Sequence, residues 1–136
     1  MDTRRSVTGQ VVTLGGCVVA YQSKLQPSAV KDTCSAELTA ASCCADRIRW
    51  LQNLLAELQV PVELPALLWT DNAAAVPVMT HSSGHHKIKC LDLVIYKVID
   101  YVDAGYIVVK HMPSKVMPAD ALTKPLGKGK FRQHRK

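Results

Sequence analysis

The stretch SAELTAASCCADRIRWLQNLLAEL, residues 35–58, carries the strongest secondary-structure signal in the chain. Its apolar residues recur at alternating steps of four and three, which predicts an amphipathic helix with one core-facing stripe. The positions of this stripe are Glu37, Ala41, Cys44, Ile48, Leu51, Leu55 and Leu58. Only Glu37 is not apolar. An acid in a first turn suits the helix dipole, which explains where Glu37 lies along the helix. A bound metal ion would also explain why it lies on the buried face.

Two β-branched runs precede this helix. Residues 11–14 and 17–21 flank Gly15-Gly16, a pattern that predicts a hairpin over residues 7–22. Gly9 within the first run indicates a bulge or a close backbone approach. Residues 23–33 are then expected to form a connecting loop.

A short apolar run without alternation, Ala66-Leu67-Leu68-Trp69, follows the helix. It predicts a central strand that is covered on both faces. Asp71 comes at the carboxyl end of this strand, where open α/β sheets place their sites. Asp71 is also a candidate N-cap for a short helix over residues 73–76, and the two roles are compatible. Pro77 is expected to break that helix.

The remaining elements complete a mixed α/β order. Apolar residues at helical spacing predict a helix that ends near Gly105, the expected residue after its C-cap. Residues 106–110 predict a strand, and residues 119–124 predict a last short helix. Trp50 and Trp69 lie in apolar surroundings and are expected in the core. The helical spacing before Gly105 is carried by Ile88, Leu91, Ile95, Val98 and Val102.

Composition excludes several classes of protein. With 136 residues, 48% of them apolar and 21% charged, the chain predicts one ordinary globular domain. Disordered, collagen-like and low-complexity chains have different compositions. No apolar run is long enough to span a bilayer or to form a signal peptide. We therefore expect a soluble, intracellular protein with no membrane partner.

The net charge of +6 is concentrated at one end of the sequence. The last 13 residues contain six of the 17 Lys and Arg residues and no acid. Residues 1–123 therefore contain 11 basic and 11 acidic groups, and their charges sum to zero. A basic segment of this kind favours binding to a polyanion, for example a phosphate backbone, and this binding should weaken as the salt concentration rises. A solvated terminus that only keeps the protein soluble is the alternative.

The five cysteines show no metal-binding or disulfide pattern. Their number is odd and no CxxC spacing occurs, which favours free thiols in a reducing compartment. A zinc site that combines cysteines with His81, His85 and His86 is an alternative. These three histidines have no matching cysteine pair, so the support for zinc is weak.

Three isolated acids, Glu37, Asp71 and Asp120, lie beside apolar segments at the ends of elements. If they converge on one sheet edge, cations would relieve the repulsion between them, and oxygen ligands suit Mg²⁺ or Mn²⁺. Two such ions about 4 Å apart can activate a water and stabilise the leaving oxygen of a phosphodiester. The alternative is that they are ordinary acids at element ends, which any α/β domain contains.

Three motifs occur in order along the chain: Ser35-Ala36-Glu37, Trp69-Thr70-Asp71-Asn72 and Ala119-Asp120-Ala121-Leu122-Thr123-Lys124-Pro125-Leu126. Together they resemble the ribonuclease H domain at the C-terminal end of copia-type retrotransposon polyproteins. Shorter pieces also resemble segments of that family: Arg5-Ser6-Val7-Thr8-Gly9, Ser23-Lys24-Leu25-Gln26, Arg49-Trp50-Leu51 and Lys89-Cys90-Leu91-Asp92. The resemblance covers residues 4–131, nearly the whole chain.

The resemblance implies a ribonuclease H-like mixed sheet flanked by helices over residues 1–126, followed by a basic tail over residues 127–136. It also implies hydrolysis of RNA in RNA–DNA hybrids with two Mg²⁺ or Mn²⁺ ions. Glu37, Asp71 and Asp120 correspond to catalytic, metal-binding carboxylates. Asn72 and His111 are possible accessory residues. Candidate nucleic-acid-binding residues are Lys124, Lys128, Lys130 and Arg132.

The same resemblance implies a partner and a location. The partner is the upstream reverse transcriptase segment of a parent polyprotein. The location is the cytoplasm, a retrotransposon particle or the nucleus.

One departure from the family concerns its first catalytic Asp, which lies on an opening strand. That strand has no counterpart here, so the fold is expected to be N-terminally truncated, with an exposed sheet edge and an incomplete two-metal site. Asp2 aligns with an acid of the following turn and is a poor substitute. Three alternatives follow: a ribonuclease H, a catalytically inactive nucleic-acid-binding remnant of the same fold, and a decayed remnant without a partner.

Overall fold

A computed structural model describes residues 7–26, 33–80 and 92–116. Within these ranges the chain forms two small sheets and three helices, which confirms the predicted mixed α/β class. The elements are β1 (Val7–Leu14), β2 (Cys17–Leu25), α1 (Thr33–Glu57), β3 (Ala66–Thr70), α2 (Ala75–Thr80), α3 (Asp92–Asp103), β4 (Ile107–His111) and a 3₁₀ turn (Ser114–Val116). The predicted helix over 119–124, the boundary at residue 126 and the basic tail lie outside the described residues.

The predicted hairpin is confirmed as an antiparallel sheet of β1 and β2, here called the hairpin sheet. Gly15 and Gly16 have φ values of 59° and 81°, as a two-residue turn that matches the twist of the strands requires. The bulge lies between Val12 and Thr13, opposite an extra residue of β2, and not at Gly9. Strand β2 also continues to Leu25, into the segment that the sequence predicted as loop.

Strands β3 and β4 form a second sheet, here called the parallel sheet. Their register runs from Ala66 opposite Ile107 to Thr70 opposite His111. The expectation of one mixed sheet is therefore wrong for the described residues, which contain two separate two-stranded sheets. Among the described residues β1 bonds only to β2 and β3 bonds only to β4, so one edge of β1 and one edge of β3 have no strand partner there.

Strand β3 is not covered on both faces, contrary to the prediction. Leu68 and Thr70 are buried, whereas Leu67 and Trp69 are 48% and 41% exposed. Leu68 packs with the helices and β4, while the other face of the strand has no such layer in the described residues. The core assignment of Trp50 is also wrong, because this residue lies off the buried stripe of α1 and is 63% exposed.

Helix α1 is buried over a wider face than the sequence predicted. Its most buried residues, Leu38 and Ala45, lie one position beyond Glu37 and Cys44 of the predicted stripe. They belong to a core cluster with α2, α3 and the parallel sheet. The cluster is Leu38, Ala41, Ala45, Ile48, Leu68, Ala75, Met79, Ile95, Val98, Ile99, Ile107 and Val109.

The end of α1 explains why Leu58 is not part of the buried stripe. Gln59 adopts a left-handed φ of 58°, and the Val60 N–H donates to the Leu55 carbonyl oxygen at 2.9 Å. The Gln59 N–H donates to the Ala56 carbonyl oxygen at 3.0 Å, which completes a Schellman-type helix end. Leu58 thus lies in the terminating turn and is exposed.

Two further expectations concern the shorter helices. Pro77 lies in the first turn of α2 rather than ending it, because the first N–H groups of a helix need no partner within the helix. Gly105 follows α3 with a φ of 79°, as predicted for the residue after a helix C-cap. Ile88 and Leu91 lie outside the described residues. No helix in the described ranges has both the length and the apolar character needed to cross a membrane.

Candidate functional site

A groove of about 910 Å³ lies between the two sheets, and we call it the central groove. All five residues of β3 line it, as do nearly all residues of β1, whereas no residue of β2 or β4 does. Consecutive residues of a strand point to opposite faces of the sheet. A groove that is lined by every residue of a strand therefore runs along the edge of that strand and not over one face. The central groove therefore follows the edges of β1 and β3 that have no strand partner in the described part of the chain.

Helix α1 contributes the third side of the central groove. Six residues of the predicted stripe line the central groove on this side: Glu37, Ala41, Cys44, Ile48, Leu51 and Leu55. Two of them, Ala41 and Ile48, also belong to the core cluster. The sequence thus correctly marked an apolar face of the helix. Part of that face borders the central groove, while the neighbouring positions pack against α3 and the parallel sheet.

Two of the three predicted carboxylates border the central groove. Glu37 lies near the start of α1 and Asp71 directly follows β3, and both side chains are half-buried. Helix α1 contacts both β1 and β3, so it brings its first turns and the end of β3 to one cavity. The fold therefore places two acids from distant parts of the sequence along the same groove.

Asn72 has a structural role in the turn after Asp71. Its side-chain Oδ1 accepts a hydrogen bond from the Ala74 N–H at 3.0 Å, and its own N–H donates to the Thr70 Oγ1 at 3.2 Å. A capping bond before α2 thus comes from Asn72, and the cap predicted at Asp71 stays a prediction. These bonds fix the backbone on both sides of Asp71.

His111 lies at the end of β4, beside the same turn. It is the register partner of Thr70, and it is exposed. The following Met112 N–H donates to the Thr70 carbonyl oxygen at 2.8 Å, which holds the ends of β3 and β4 together. The imidazole is therefore accessible next to the strand end that carries Asp71.

The other predicted site residues lie outside the described residues: Asp120, Lys124, Lys128, Lys130, Arg132, His81, His85 and His86. Within the described ranges, no group of three His, Cys, Asp or Glu side chains could hold a metal ion. Glu37 and Asp71 offer only oxygen donors, which fits a hard divalent cation rather than zinc. The donor chemistry thus fits the predicted ion, and the predicted third carboxylate, Asp120, remains a prediction.

Cys44 lines the central groove and has a strongly shifted pKa. Burial raises the pKa of its thiol to about 11, because the thiolate would lose hydration there. At neutral pH the group is therefore a neutral thiol, which is a poor nucleophile and metal ligand. Cys17, Cys43 and Cys44 are all free, as the sequence predicted for the cysteines.

Sequence reasoning missed two buried glutamines on the central groove, Gln10 and Gln26. The Gln10 Nε2 donates to the Ala40 carbonyl oxygen at 3.3 Å, and the Gln26 Nε2 donates to the Ala36 carbonyl oxygen at 3.1 Å. Each Oε1 is buried and accepts no hydrogen bond from any described residue. The alternation of side chains along β1 indicates a buried Gln10, because it places Gln10 on the same face of the strand as the buried Val12.

Comparison with known proteins finds distant relatives. Over 131 residues, 96% of the chain, it is 30% identical to the Retrovirus-related Pol polyprotein from transposon TNT 1-94 of Nicotiana tabacum. Over 130 residues it is 28% identical to the corresponding polyprotein from transposon RE2 of Arabidopsis thaliana. The chain spans only 9–10% of the length of these relatives. No family model and no solved structure matches it.

The chain is thus a distant relative of one segment of copia-type retrotransposon Pol polyproteins. This confirms the coarser part of the resemblance inferred from the motifs.

Proposed function

We propose that the chain is a ribonuclease H-type domain that hydrolyses RNA in RNA–DNA hybrids and depends on Mg²⁺ or Mn²⁺. The observation that carries the proposal is that Glu37 and Asp71 border one groove, although they lie on separate elements. The relation to a segment of Pol polyproteins supports it. The Asp120 motif supports it from the sequence.

The residues that would hold a divalent ion are Glu37, Asp71 and Asp120. Such an ion supplies a polarised water and positive charge beside the scissile phosphate. The protein's own contribution is to hold the carboxylates in place. The packed face of α1 holds the helix that carries Glu37, and the Asn72 bonds fix the turn at Asp71. A fixed carboxylate loses less entropy when it binds a ligand.

His111 and the basic residues have supporting roles in the proposal. The exposed imidazole of His111, beside the end of β3, can exchange a proton with a leaving group or a departing product. Lys124, Lys128, Lys130 and Arg132 supply positive charge for the phosphate backbone of the hybrid. The 2′-hydroxyl of the RNA strand distinguishes a hybrid from duplex DNA.

The test is a cleavage assay on a 5′-labelled RNA–DNA hybrid, first in Mg²⁺ and then in Mn²⁺. We expect cleavage by the unmodified chain and its loss, by about 100-fold or more, in Asp71→Asn and Glu37→Gln. Asp100→Asn is the matched control, since Asp100 is exposed on α3 and does not line the central groove. Circular dichroism checks that each variant is folded.

Two results would contradict the proposal. Cleavage that persists in EDTA, or that Asp71→Asn leaves unchanged, would remove the role of metal and carboxylate. Salt-dependent binding of the hybrid by a folded chain without any cleavage would favour the inactive nucleic-acid-binding remnant instead.

A further inference from the structure

Gln26 links three elements beside the central groove. It directly follows β2, and its side chain is only 5% exposed. Its Nε2 donates to the Thr8 Oγ1 of β1 at 2.9 Å and to the Ala36 carbonyl oxygen of α1 at 3.1 Å. One buried amide thus connects the hairpin sheet to the first turns of the helix.

The chemistry of the acceptors fixes the orientation of this amide. A backbone carbonyl oxygen only accepts hydrogen bonds, so the NH₂ group of Gln26 faces Ala36 and its Oε1 does not. The second N–H of the same group bonds the Thr8 hydroxyl oxygen. Because both bonds are buried, they hold their partners in a defined arrangement.

The carbonyl that Gln26 bonds belongs to the residue directly before Glu37. The residue directly after Glu37 is Leu38, which is 1% exposed and belongs to the core cluster with α2, α3 and the parallel sheet. Glu37 therefore lies between a contact with the hairpin sheet and a contact with the core. Bonds of Asn72 hold Asp71 separately. The distance between the two carboxylates thus depends on the contacts that fix the start of α1.

We propose that Gln26 is a positioning residue, which fixes the first turns of α1 and thereby the place of Glu37 relative to Asp71. It acts through the backbone of Ala36 and is not itself a catalytic residue. This role rests on the proposed function, because that function requires the two carboxylates to act together. A displacement of about 1 Å in a site can cost about 100-fold in rate, so the loss of two hydrogen bonds can lower activity without unfolding the chain.

The first experiment measures the link itself, without metal or hybrid. Gln26→Met keeps the length of the side chain and removes both donors. Gln52→Met is the matched control, because Gln52 is also buried and its Nε2 donates to the Tyr106 carbonyl oxygen at 2.9 Å from the second half of α1. Hydrogen exchange, measured relative to the amides of α3, compares the two variants.

In Gln26→Met, the amides of residues 37–40 should exchange at least about tenfold faster than in the unmodified chain. In Gln52→Met, the same amides should stay within about twofold. Unchanged exchange of residues 37–40 in Gln26→Met, or an equal increase in both variants, would overturn the proposal.

A second pair of variants tests the link from the side of β1 and does not require Gln26→Met to fold. Thr8→Val removes the acceptor of one N–H and keeps the branched shape, whereas Thr8→Ser keeps the hydroxyl. Exchange of residues 37–40 should rise at least about fivefold in Thr8→Val and stay within about twofold in Thr8→Ser. Equal exchange in the two variants would overturn the proposal.

A double-mutant cycle then separates positioning from a merely structural role. Mn²⁺ affinity is measured by electron paramagnetic resonance, without hybrid. Gln26→Met should weaken Mn²⁺ binding at least about fivefold in the unmodified chain and less than about twofold in the Glu37→Gln chain, because both changes act on one carboxylate. Losses that add in the double variant would overturn the proposal, since Gln26 would then not act through Glu37.

Activity gives the last comparison and distinguishes the two proposals. Gln26→Met should lower kcat on the hybrid at least about tenfold and leave KM within about twofold, because the lost bonds act on Glu37 and not on the substrate. Gln52→Met should change neither by more than about twofold. An unmodified chain that neither binds Mn²⁺ nor cleaves would contradict the proposed function, whereas hydrogen exchange decides the link between Gln26 and α1 independently.

Discussion

The hairpin sheet and the parallel sheet each contain two strands, but different interactions hold them. A two-glycine turn joins β1 to β2, and most of β2 is exposed. Strands β3 and β4 are separated by 36 residues, from 71 to 106, and they pair with Ile107, Val109 and Leu68 buried against helices. The hairpin sheet depends on local conformation, whereas the parallel sheet depends on tertiary packing.

Helix α1 connects the two sheets through two arginines. The Arg47 Nη2 donates to the Gln22 Oε1 of β2 at 2.9 Å. The Arg49 guanidinium lies 3.4 Å from the centre of the Tyr106 ring, directly before β4, and its Nη1 donates to the Gln52 Oε1 at 2.8 Å. Gln52 in turn donates to the Tyr106 carbonyl oxygen at 2.9 Å. The two arginines thus attach α1 to different sheets, Arg47 by a hydrogen bond and Arg49 by stacking on a ring.

The largest expected effect is on the free energy of unfolding and follows from the different burial of side chains in the two sheets. Ile107→Ala removes a core side chain that is 1% exposed and should cost about 2–5 kcal/mol in the free energy of unfolding. Val18→Ala in β2, where the side chain is 60% exposed, should cost less than about 0.5 kcal/mol. Urea unfolding followed by circular dichroism measures both. Similar losses would show that the hairpin sheet is packed as tightly as the parallel sheet.

The second expected effect concerns the groove between the sheets and follows from Cys44. Because its pKa is raised to about 11 from 9.0, folding favours the neutral thiol, so this stabilisation is complete below pH 9 and is lost as the pH rises through 11. The loss should approach about 2 kcal/mol. Cys44→Ala should abolish this part of the pH dependence, and Cys43→Ala, at an exposed position, should retain it. Urea midpoints between pH 8 and pH 11 measure the difference, and an identical decline in Cys44→Ala would contradict the assignment.

The third expected effect tests the local origin of the hairpin sheet. Gly16→Val introduces a side chain where φ is 81°, with no atom near the new Cβ, so the cost comes from the backbone alone. We expect a loss of about 1–2 kcal/mol. Hydrogen exchange should speed up in β1 and β2 more than in β3 and β4. Gly16→Asn is the control, because Asn tolerates a left-handed conformation and should cost less. Uniformly faster exchange in all four strands would show that the two sheets unfold together.

The smallest expected effect compares the two arginines. Arg49→Lys removes the planar stacking on Tyr106 and the guanidinium hydrogen bonds to Gln52 and Asn53, and should cost about 1 kcal/mol. Arg47→Lys should cost less than about 0.5 kcal/mol, because the contacts of Arg47 with β2 are hydrogen bonds alone, without the ring stacking that Arg49 makes. Thermal unfolding of the two variants in parallel measures the difference. A larger loss for Arg47→Lys would show that the hydrogen bonds of Arg47 contribute more than the stacking of Arg49.

Local patterns in the sequence determined the elements of this protein that depend on neighbouring residues. The hairpin turn follows from Gly15-Gly16, because both positions need a positive φ. Helix α1 follows from its three-and-four spacing, and the end of α3 follows from Gly105. The motifs around Glu37 and Asp71 indicated the relation to Pol polyproteins, since a motif is a local property of the chain.

Only the tertiary structure decided how these elements meet. The sequence predicted one mixed sheet, but whether β1 reaches β3 depends on contacts between distant residues, and the described structure leaves a groove there. The same groove explains why the apolar strand β3 is half exposed and why Glu37 and Asp71 share one cavity. A pattern in the sequence indicates which side chains favour burial. What covers them is decided by the packing of elements that are far apart along the chain.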